Sequence, residues 1–326
     1  MTGWFPNILK PSFSRLTPNP NWPDASAIPD LKGKVAIVLG ANSGVGYNTA
    51  LELARKGAKV YVTARSSEKA EETVLKIEDE LKAEHVQVLP LVVVLDDFAQ
   101  VRNAARAFVA DQKRLDILVN NAGVITQNFQ LTKDGVETDY AVNYLSHFIF
   151  TVALLPILSR DARIVNVTSH AQCFKPLVLD AGRINDAHDA ELRGWLARYG
   201  HSKLAQAVFT RGLQARVGPA VHVNCCHPGQ IRTGLNRQVS APGTGVQGFL
   251  VRVAMRLFDE PPEVGALTQL YLAASPEVES KDIKGEFFMP IAQRAQGMMN
   301  PIALNDETVE KFWAWTEELV SKKLKD

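Results

Sequence analysis

Tyr199 and Lys203 stand four residues apart in the run Arg198-Tyr199-Gly200-His201-Ser202-Lys203-Leu204-Ala205. On a helix that spacing puts a phenol and an ammonium on one face, about one turn apart. The positive charge favours the phenolate. A tyrosine so placed exchanges a proton near neutral pH more readily than a free one, whose pKa is about 10. The pair has the chemistry of a general acid–base centre. The same spacing arises wherever a surface tyrosine happens to precede a surface lysine, so its meaning depends on what else the chain supplies.

A second group of residues has the chemistry of a phosphate cradle. Gly40-Ala41-Asn42-Ser43-Gly44-Val45-Gly46 follows the apolar run Val35-Ala36-Ile37-Val38-Leu39 and precedes a helical pattern. Glycines there allow a tight turn and close approach of backbone to a pyrophosphate. The helix N-terminus adds free N–H groups and a positive dipole. The spacing is G-x-x-x-G-x-G rather than G-x-G-x-x-G. Gly40, Asn42, Ser43, Gly44, Val45 and Gly46 are therefore candidate cofactor-binding residues. The next strand ends in Ala64-Arg65-Ser66, without a carboxylate. An acid at that place suits a ribose 2′-hydroxyl, whereas the permanently charged fork of Arg65 suits a 2′-phosphate. NADP(H) is expected over NAD(H).

These residues need a scaffold that brings them to one edge. The apolar periodicity predicts strands at 35–39, 59–64, 86–95, 115–119, 163–168, 221–226 and 286–289. Helices are expected at 48–56, 68–84, 98–111, 136–158, 191–216 and 262–274, with Asn305 capping a last one. Such alternation implies a doubly wound parallel sheet, Rossmann-type α/β, with helices on both faces. Residues 33–326 read as one catalytic domain. Residues 1–32, rich in Pro and Asn, read as an irregular extension in which Trp4, Phe5 and Phe13 pack as a wrapping arm.

Composition narrows the function classes. A chain of 326 residues with a formal net charge of +1 gives no field favouring nucleic acid or an anionic membrane. Three cysteines, Cys173, Cys225 and Cys226, have no C-x-x-C or Cys/His ligand spacing, so neither a disulfide framework nor a metal site is expected. A reducing, cytoplasmic setting follows. No basic and apolar leader opens the sequence, and no run approaches the ~20 apolar residues of a membrane span.

Taken together the motifs resemble the short-chain dehydrogenase/reductase family over residues 33–290, closest to its retinol-dehydrogenase-like branch and to fungal secondary-metabolism ketoreductases. The resemblance rests on Gly40-x-x-x-Gly44-x-Gly46, Asn120-Asn121-Ala122-Gly123, Asn143, Ser169, Tyr199-x-x-x-Lys203, and His227-Pro228-Gly229 with Thr233, in that order. It implies that Tyr199 protonates a carbonyl oxygen, that Ser169 hydrogen-bonds that oxygen, and that Lys203 holds the nicotinamide ribose and lowers the Tyr199 pKa. Asn143 would bend its helix and help hold a water in a proton relay. Asn120, Ala122 and Gly123 would lie along the adenosine and ribose. Pro228, Gly229, Ile231 and Thr233 would line the nicotinamide.

Two positions depart from the family pattern. Leu39 replaces a Thr that ties the glycine turn to its neighbour, so a looser turn is expected. The Asp that usually contacts adenine falls at Val94 by counting, leaving Asp96 as the candidate if the loop is shifted. Thirty residues between Ser169 and Tyr199 mark an insertion, and Thr168 competes with Ser169 for the hydroxyl role. His201 is expected to be structural or to face substrate.

On the substrate side, 172–195, 229–262 (a lid) and 292–300 carry Phe174, Leu177, Leu179, Phe249, Leu250, Met255, Leu257, Phe258, Met298 and Met299. The expected activity is NADPH-dependent reduction of a ketone or aldehyde on a bulky lipophilic molecule, or the reverse alcohol oxidation. The alternatives are an epimerase, dehydratase or cyclase on the same scaffold, or a non-catalytic nucleotide-binding protein. A homodimer is possible.

Overall fold

Along β1 (Val35–Val38) the side chains of Ala36 and Val38 point to one face of the sheet, and Ile37 to the other, with Leu39 continuing its side. That split recurs strand by strand and builds two cores, one above and one below the sheet. A computed structural model describes residues 19–22, 24–82, 86–174, 176–231 and 260–324, with backbone only at position 174. The remaining strands are β2 (Lys59–Ala64), β3 (Gln87–Val92), β4 (Leu115–Asn120), β5 (Leu158–Val167), β6 (His222–Cys226), β7 (Phe287–Met289) and β8 (Gln293–Arg294). Their order is β3-β2-β1-β4-β5-β6-β7-β8, parallel throughout except for β8. Pro90 lies in β3, at the sheet edge, where a missing N–H costs no ladder bond.

The helices are α1 (Gly44–Arg55), α2 (Ser67–Leu81), α3 (Phe98–Asp111), α4 (Thr138–Tyr140 continuing through Ala141–Leu145 to Ser146–Leu154), α5 (Ala181–Ile184), α6 (Trp195–Gln214), α7 (Pro262–Ala274), α8 (Pro276–Ser280) and α9 (Asp306–Lys323). One core joins α3, α4, α6 and α9, and the other joins α1 and α7. The doubly wound parallel sheet expected from sequence is thus present. Its strand limits shift where caps intervene. The third strand stops before residue 93 because Asp97 caps α3 by accepting from Gln100 N, and Asp97 N closes a turn on Val94 O. Asn305 caps α9 as expected, accepting from Thr308 N, with Asp306 and Glu307 in the first turn and Lys322 and Lys323 in the last. The short α5 and α8 and strand β8 carry too little periodicity to be read from sequence.

Helix α4 corrects one expectation. With its following turn it spans Thr138–Ile157, a 20-residue run long and apolar enough to cross a membrane, but 78% of its window is buried in the protein. It is covered by α9: the Tyr144 hydroxyl bonds Thr316 Oγ1 at 2.7 Å, and Phe148 meets Trp313 with ring centroids 5.0 Å apart. Within the extension, Trp22 is 1% exposed, donates to Leu267 O at 2.9 Å and packs edge-on against Tyr271. Trp4, Phe5 and Phe13 lie outside the described residues, as does most of the expected lid.

Trp313 lies between α4 and α6 and also stacks on Phe209. Its replacement by Ala is expected to cost about 3–5 kcal/mol of unfolding free energy, against about 1 kcal/mol for the cap substitution Asn305→Ala. Urea denaturation of the two variants checks the ordering.

Candidate active site

Parallel strands β1 and β4 are neighbours whose chains continue to opposite sides of the sheet, which opens a crevice at their carboxyl ends. A cleft of about 950 Å³ lies there. The glycine turn forms its floor. Gly40 has φ +70° and Gly44 φ +60°, conformations that suit glycine. A Cβ on Gly40 would stand 2.9 Å from Ala122, and one on Gly46 would stand 2.4 Å from both Asn121 Nδ2 and Gly40 O. Asn42, Ser43 and Val45 line the cleft beside them, with Ser43 preceding the first turn of α1. The backbone there is packed to a limit that leaves room for a ligand only on the cleft side.

The looser turn expected from Leu39 is not found. Leu39 is fully buried in the core, and other groups tie the turn. Gly40 N donates to Thr63 Oγ1 at 2.9 Å, and Asn121 Nδ2 donates to Leu39 O at 3.0 Å and Gly40 O at 3.2 Å. Asn121 accepts in turn from Gln269 Nε2, and Thr49 Oγ1 donates to Gln269 Oε1. One buried chain of bonds thus runs from α1 and α7 to the glycine turn.

At the end of β2, Arg65 is exposed and lines the cleft, and Lys69 lines it from the first turn of α2. Ser66 caps that helix, which fixes the two cations on one side. Lys69 was missed from sequence; a second cation four residues after Arg65 was the available signal. Across the crevice Asp96 lines the cleft and Val94 does not.

At the catalytic end, Ser169, Tyr199 and Lys203 line the same cleft. Ser169 follows β5, and its hydroxyl lies beside the Tyr199 phenol in the cleft. Thr168 is committed elsewhere, donating to Lys203 O at 2.7 Å, so Ser169 carries the free hydroxyl. The insertion after Ser169 begins with the turn His170–Phe174 packed against α6 and includes α5, so it leaves Ser169 beside Tyr199. Gly194, at φ +93°, starts α6 just ahead of Tyr199.

Lys203 is 3% exposed. Its ammonium donates to Val167 O at 2.8 Å and Gln206 Oε1 at 2.9 Å and lies 5.8 Å from the Tyr199 ring centroid. Burial pushes its pKa down to about 7, with Asp139 opposing. Burial also pushes the Tyr199 phenol up to about 12, against the Ser169 hydrogen bond. The lowered tyrosine pKa expected from the spacing is therefore not seen: loss of hydration around the phenol dominates, and the Asp139 charge adds to it.

Asn143 sits in a π-helical turn of α4, Ala141–Leu145. Its side chain accepts from Val124 N at 2.7 Å and donates to Val124 O and Ser202 Oγ. Gly123 completes the packing, since a Cβ there would stand 3.3 Å from Asn143 Oδ1 and 3.4 Å from Lys203 Nζ. Ala122 and Gly123 line the cleft.

Asn120 is corrected. It is fully buried beneath the cleft, donating to Asn166 Oδ1 at 2.8 Å and Thr151 Oγ1 at 3.0 Å. Side chains alternate along an extended segment, so the neighbour Asn121 is the one that reaches the cleft. Pro228, Gly229 and Ile231 line the cleft, and Thr233 lies outside the described residues. His201 Nε2 accepts from Val178 N at 3.0 Å and its ring stacks on Tyr140, which makes it structural.

The apolar substrate set is also revised. Leu177, Leu179, Met298 and Met299 pack into the core, whereas Ile125, Val142 and Leu196 line the cleft. Phe249, Leu250, Met255, Leu257 and Phe258 and the side chain of Phe174 fall outside the described residues.

The model of the short chain dehydrogenase family matches residues 34–179. An uncharacterised oxidoreductase of Schizosaccharomyces pombe is 40% identical, over 96% of this chain and 91% of its own. Retinol dehydrogenase 13 of Homo sapiens is 35% identical, over 91% of this chain and 87% of its own. The crystal structure of a short chain dehydrogenase from Burkholderia cenocepacia in complex with NADP superposes with a TM-score of 0.62 at 26% identity, covering 81% of this chain and 98% of that one. The chain belongs to the short-chain dehydrogenase/reductase family, in its retinol-dehydrogenase-like branch, whose members use nicotinamide cofactors.

Replacing Gly46 by Ala is expected to destabilise the protein by about 1–3 kcal/mol and to weaken nucleotide binding, because the new methyl meets backbone oxygen. Gly297→Ala, which has open space around its Cβ, serves as the neutral control. Thermal unfolding and nucleotide titration of the pair provide the check.

Proposed function

We propose, with family membership as the premise, that this protein is an NADPH-dependent reductase of a ketone or aldehyde on a lipophilic molecule, or the dehydrogenase running that reaction in reverse. The convergence of Ser169, Tyr199 and Lys203 on one cleft with the glycine cradle carries the reading. The cradle fits a dinucleotide: Gly40 and Gly46 let the turn pack closely against Ala122 and Asn121, and the first turn of α1 lines the cleft, where a helix N-terminus favours phosphate. Arg65 and Lys69 would hold a 2′-phosphate, and Asp96 the adenine side. Lys203, Pro228, Gly229 and Ile231 would hold the nicotinamide riboside. When bound, the cofactor supplies a hydride to the carbonyl carbon.

The protein's own part is to manage charge on oxygen. Ser169 and Tyr199 bring two hydroxyl donors to the same cleft, where an alkoxide would form as the carbonyl is reduced. A preorganised donor of this kind is typically worth about 2.7–4 kcal/mol. A phenol held near 12 is protonated across the working range and so is ready to donate. Lys203, with its positive charge, stabilises the phenolate left behind. Ile125, Val142 and Leu196 present apolar surface beside this point, which suits a lipophilic carbonyl compound over a sugar phosphate.

Tyr199→Phe is expected to lower carbonyl-dependent loss of absorbance at 340 nm by about 10²–10⁴ with nucleotide binding retained. Tight NADPH binding with no turnover of any carbonyl by the unaltered protein would favour a non-redox enzyme on this scaffold.

The double substitution of Arg65 and Lys69 by Ala is expected to raise the KM for NADPH about 10–100-fold and leave that for NADH nearly unchanged. Equal loss with both nucleotides would refute the 2′-phosphate assignment.

The phenol pKa also fixes a pH sign. Below about 12 the phenol is protonated, so the phenol itself gives reduction no pH dependence between pH 6 and 8, and reduction should fall only as Lys203 loses its charge above about 7. Alcohol oxidation needs the phenolate and should rise with pH, by up to about tenfold per unit. Initial rates in both directions across that range check the asymmetry.

A further inference from the structure

One wall of the cleft is the extended segment after β4, in which Val124 and Ile125 face the ligand space. Two side chains on α4 hold it. Asn143 accepts from Val124 N at 2.7 Å. Asp139, four residues earlier on the same helix face, accepts from Thr126 N at 2.9 Å and Thr126 Oγ1 at 2.8 Å. Helical side chains one turn apart thus catch alternate amides of an extended strand. Asn143 was legible as a site residue, and Asp139 was not.

Asp139 is fully buried, and its second oxygen, Oδ2, has no hydrogen-bond partner among the described residues. A carboxylate kept in that condition costs stability unless nearby charge compensates it. From α6 it is faced by Arg198, Tyr199 and Lys203, and from its own helix by Glu137. Arg198 is itself buried. It donates to Thr126 O at 2.9 Å and Gln127 O at 3.1 Å and lies 3.3 Å from Glu137 Oε1. It immediately precedes Tyr199, so the same wall segment is gripped from α4 and from the catalytic helix.

We propose that Asp139 is a positioning residue of this site, fixing the cleft wall through Thr126 while its charge keeps Tyr199 protonated and Lys203 charged, a bias toward carbonyl reduction. A negative charge disfavours the phenolate and favours the ammonium, so both effects have the same origin and the same sign. Asp139 acts in this direction on both groups, opposing burial at Lys203 and adding to it at Tyr199. Burial lifts Asp139 itself to about 6, against its Thr126 bonds and the Arg198 and Lys203 charges. The bias is therefore present above that pH and fades below it. The directional part rests on the reductase reading above; the electrostatic part does not.

Asp139→Asn is nearly isosteric and leaves an oxygen for Thr126 N. Cofactor-free protein carrying ¹³Cε-lysine, with Lys203 assigned through Lys203→Arg, should show the Lys203 midpoint about one pH unit lower in the variant. Hydrogen exchange at the Thr126 amide should stay slow. At pH 8 the ratio of alcohol oxidation to carbonyl reduction should rise about three- to tenfold. An unchanged Lys203 midpoint overturns the proposal whatever the enzyme does to carbonyls. A lowered midpoint in a protein that reduces no carbonyl sustains the role of Asp139 and counts against the reductase reading alone. If the variant does not fold, the unaltered protein decides: the Lys203 resonance should carry a second inflection at the pH where ¹³Cγ-aspartate NMR shows Asp139 titrating, and its absence overturns the proposal.

Discussion

A lysine side chain sealed under a cleft is the constraint around which this site is organised. An unpaired ammonium in that position would be expelled or neutralised, and Lys203 is kept by two acceptors, the carbonyl of Val167 and the amide oxygen of Gln206. Its neighbours follow from that. A side chain at Gly123 would crowd Asn143 Oδ1 at 3.3 Å and touch Lys203 Nζ at 3.4 Å. Thr168 spends its hydroxyl on the Lys203 carbonyl, which leaves Ser169 to face Tyr199. Even the second layer is polar: Gln206 continues to His147 Nδ1 at 2.9 Å, and burial pushes that imidazole down to about 3, so it stays neutral.

The polar layer is joined to the sheet rather than floating in the core. Asn120 on β4 bonds Asn166 on β5, which bonds Thr210 on α6, which bonds back to the Gln206 carbonyl. The chain of bonds is continuous, but Asn120 Oδ1 is buried with no partner among the described residues, so the network fixes one arrangement at a cost in desolvation. The network also explains why two adjacent asparagines do different work. Asn120 points down and ties strands to helices, and Asn121 points toward the glycine turn and ties it to α7 through Gln269.

Much of this was legible from residue types and spacing. The glycine turn, Tyr199 with Lys203, Ser169, and the Arg65 position all carry local signatures, because the chemistry demands those side chains at short, fixed separations. The sheet was legible because buried parallel strands read as apolar runs. What escaped depends on contacts distant in sequence. Asp139 and Arg198 meet only after α4 and α6 pack against one segment, and nothing in either local stretch marks them. The Tyr199 pKa was misread in sign because spacing reports the neighbouring ammonium but not the loss of water around the phenol. Asn120 was misplaced by one residue, the error that strand alternation makes easiest. Leu39 was read as a loosened turn, since the replacement anchors, Thr63 and Asn121, lie on other strands.

The crystal structure of the protein with NADP⁺ bound tests most directly whether nucleotide and acid–base pair share this cleft. The expected density places the pyrophosphate on the Gly40–Gly46 turn, the 2′-phosphate against Arg65 and Lys69, and Lys203 in contact with the nicotinamide ribose. Nucleotide bound elsewhere, or bound there with Lys203 out of reach of the nicotinamide ribose, would contradict the assignment.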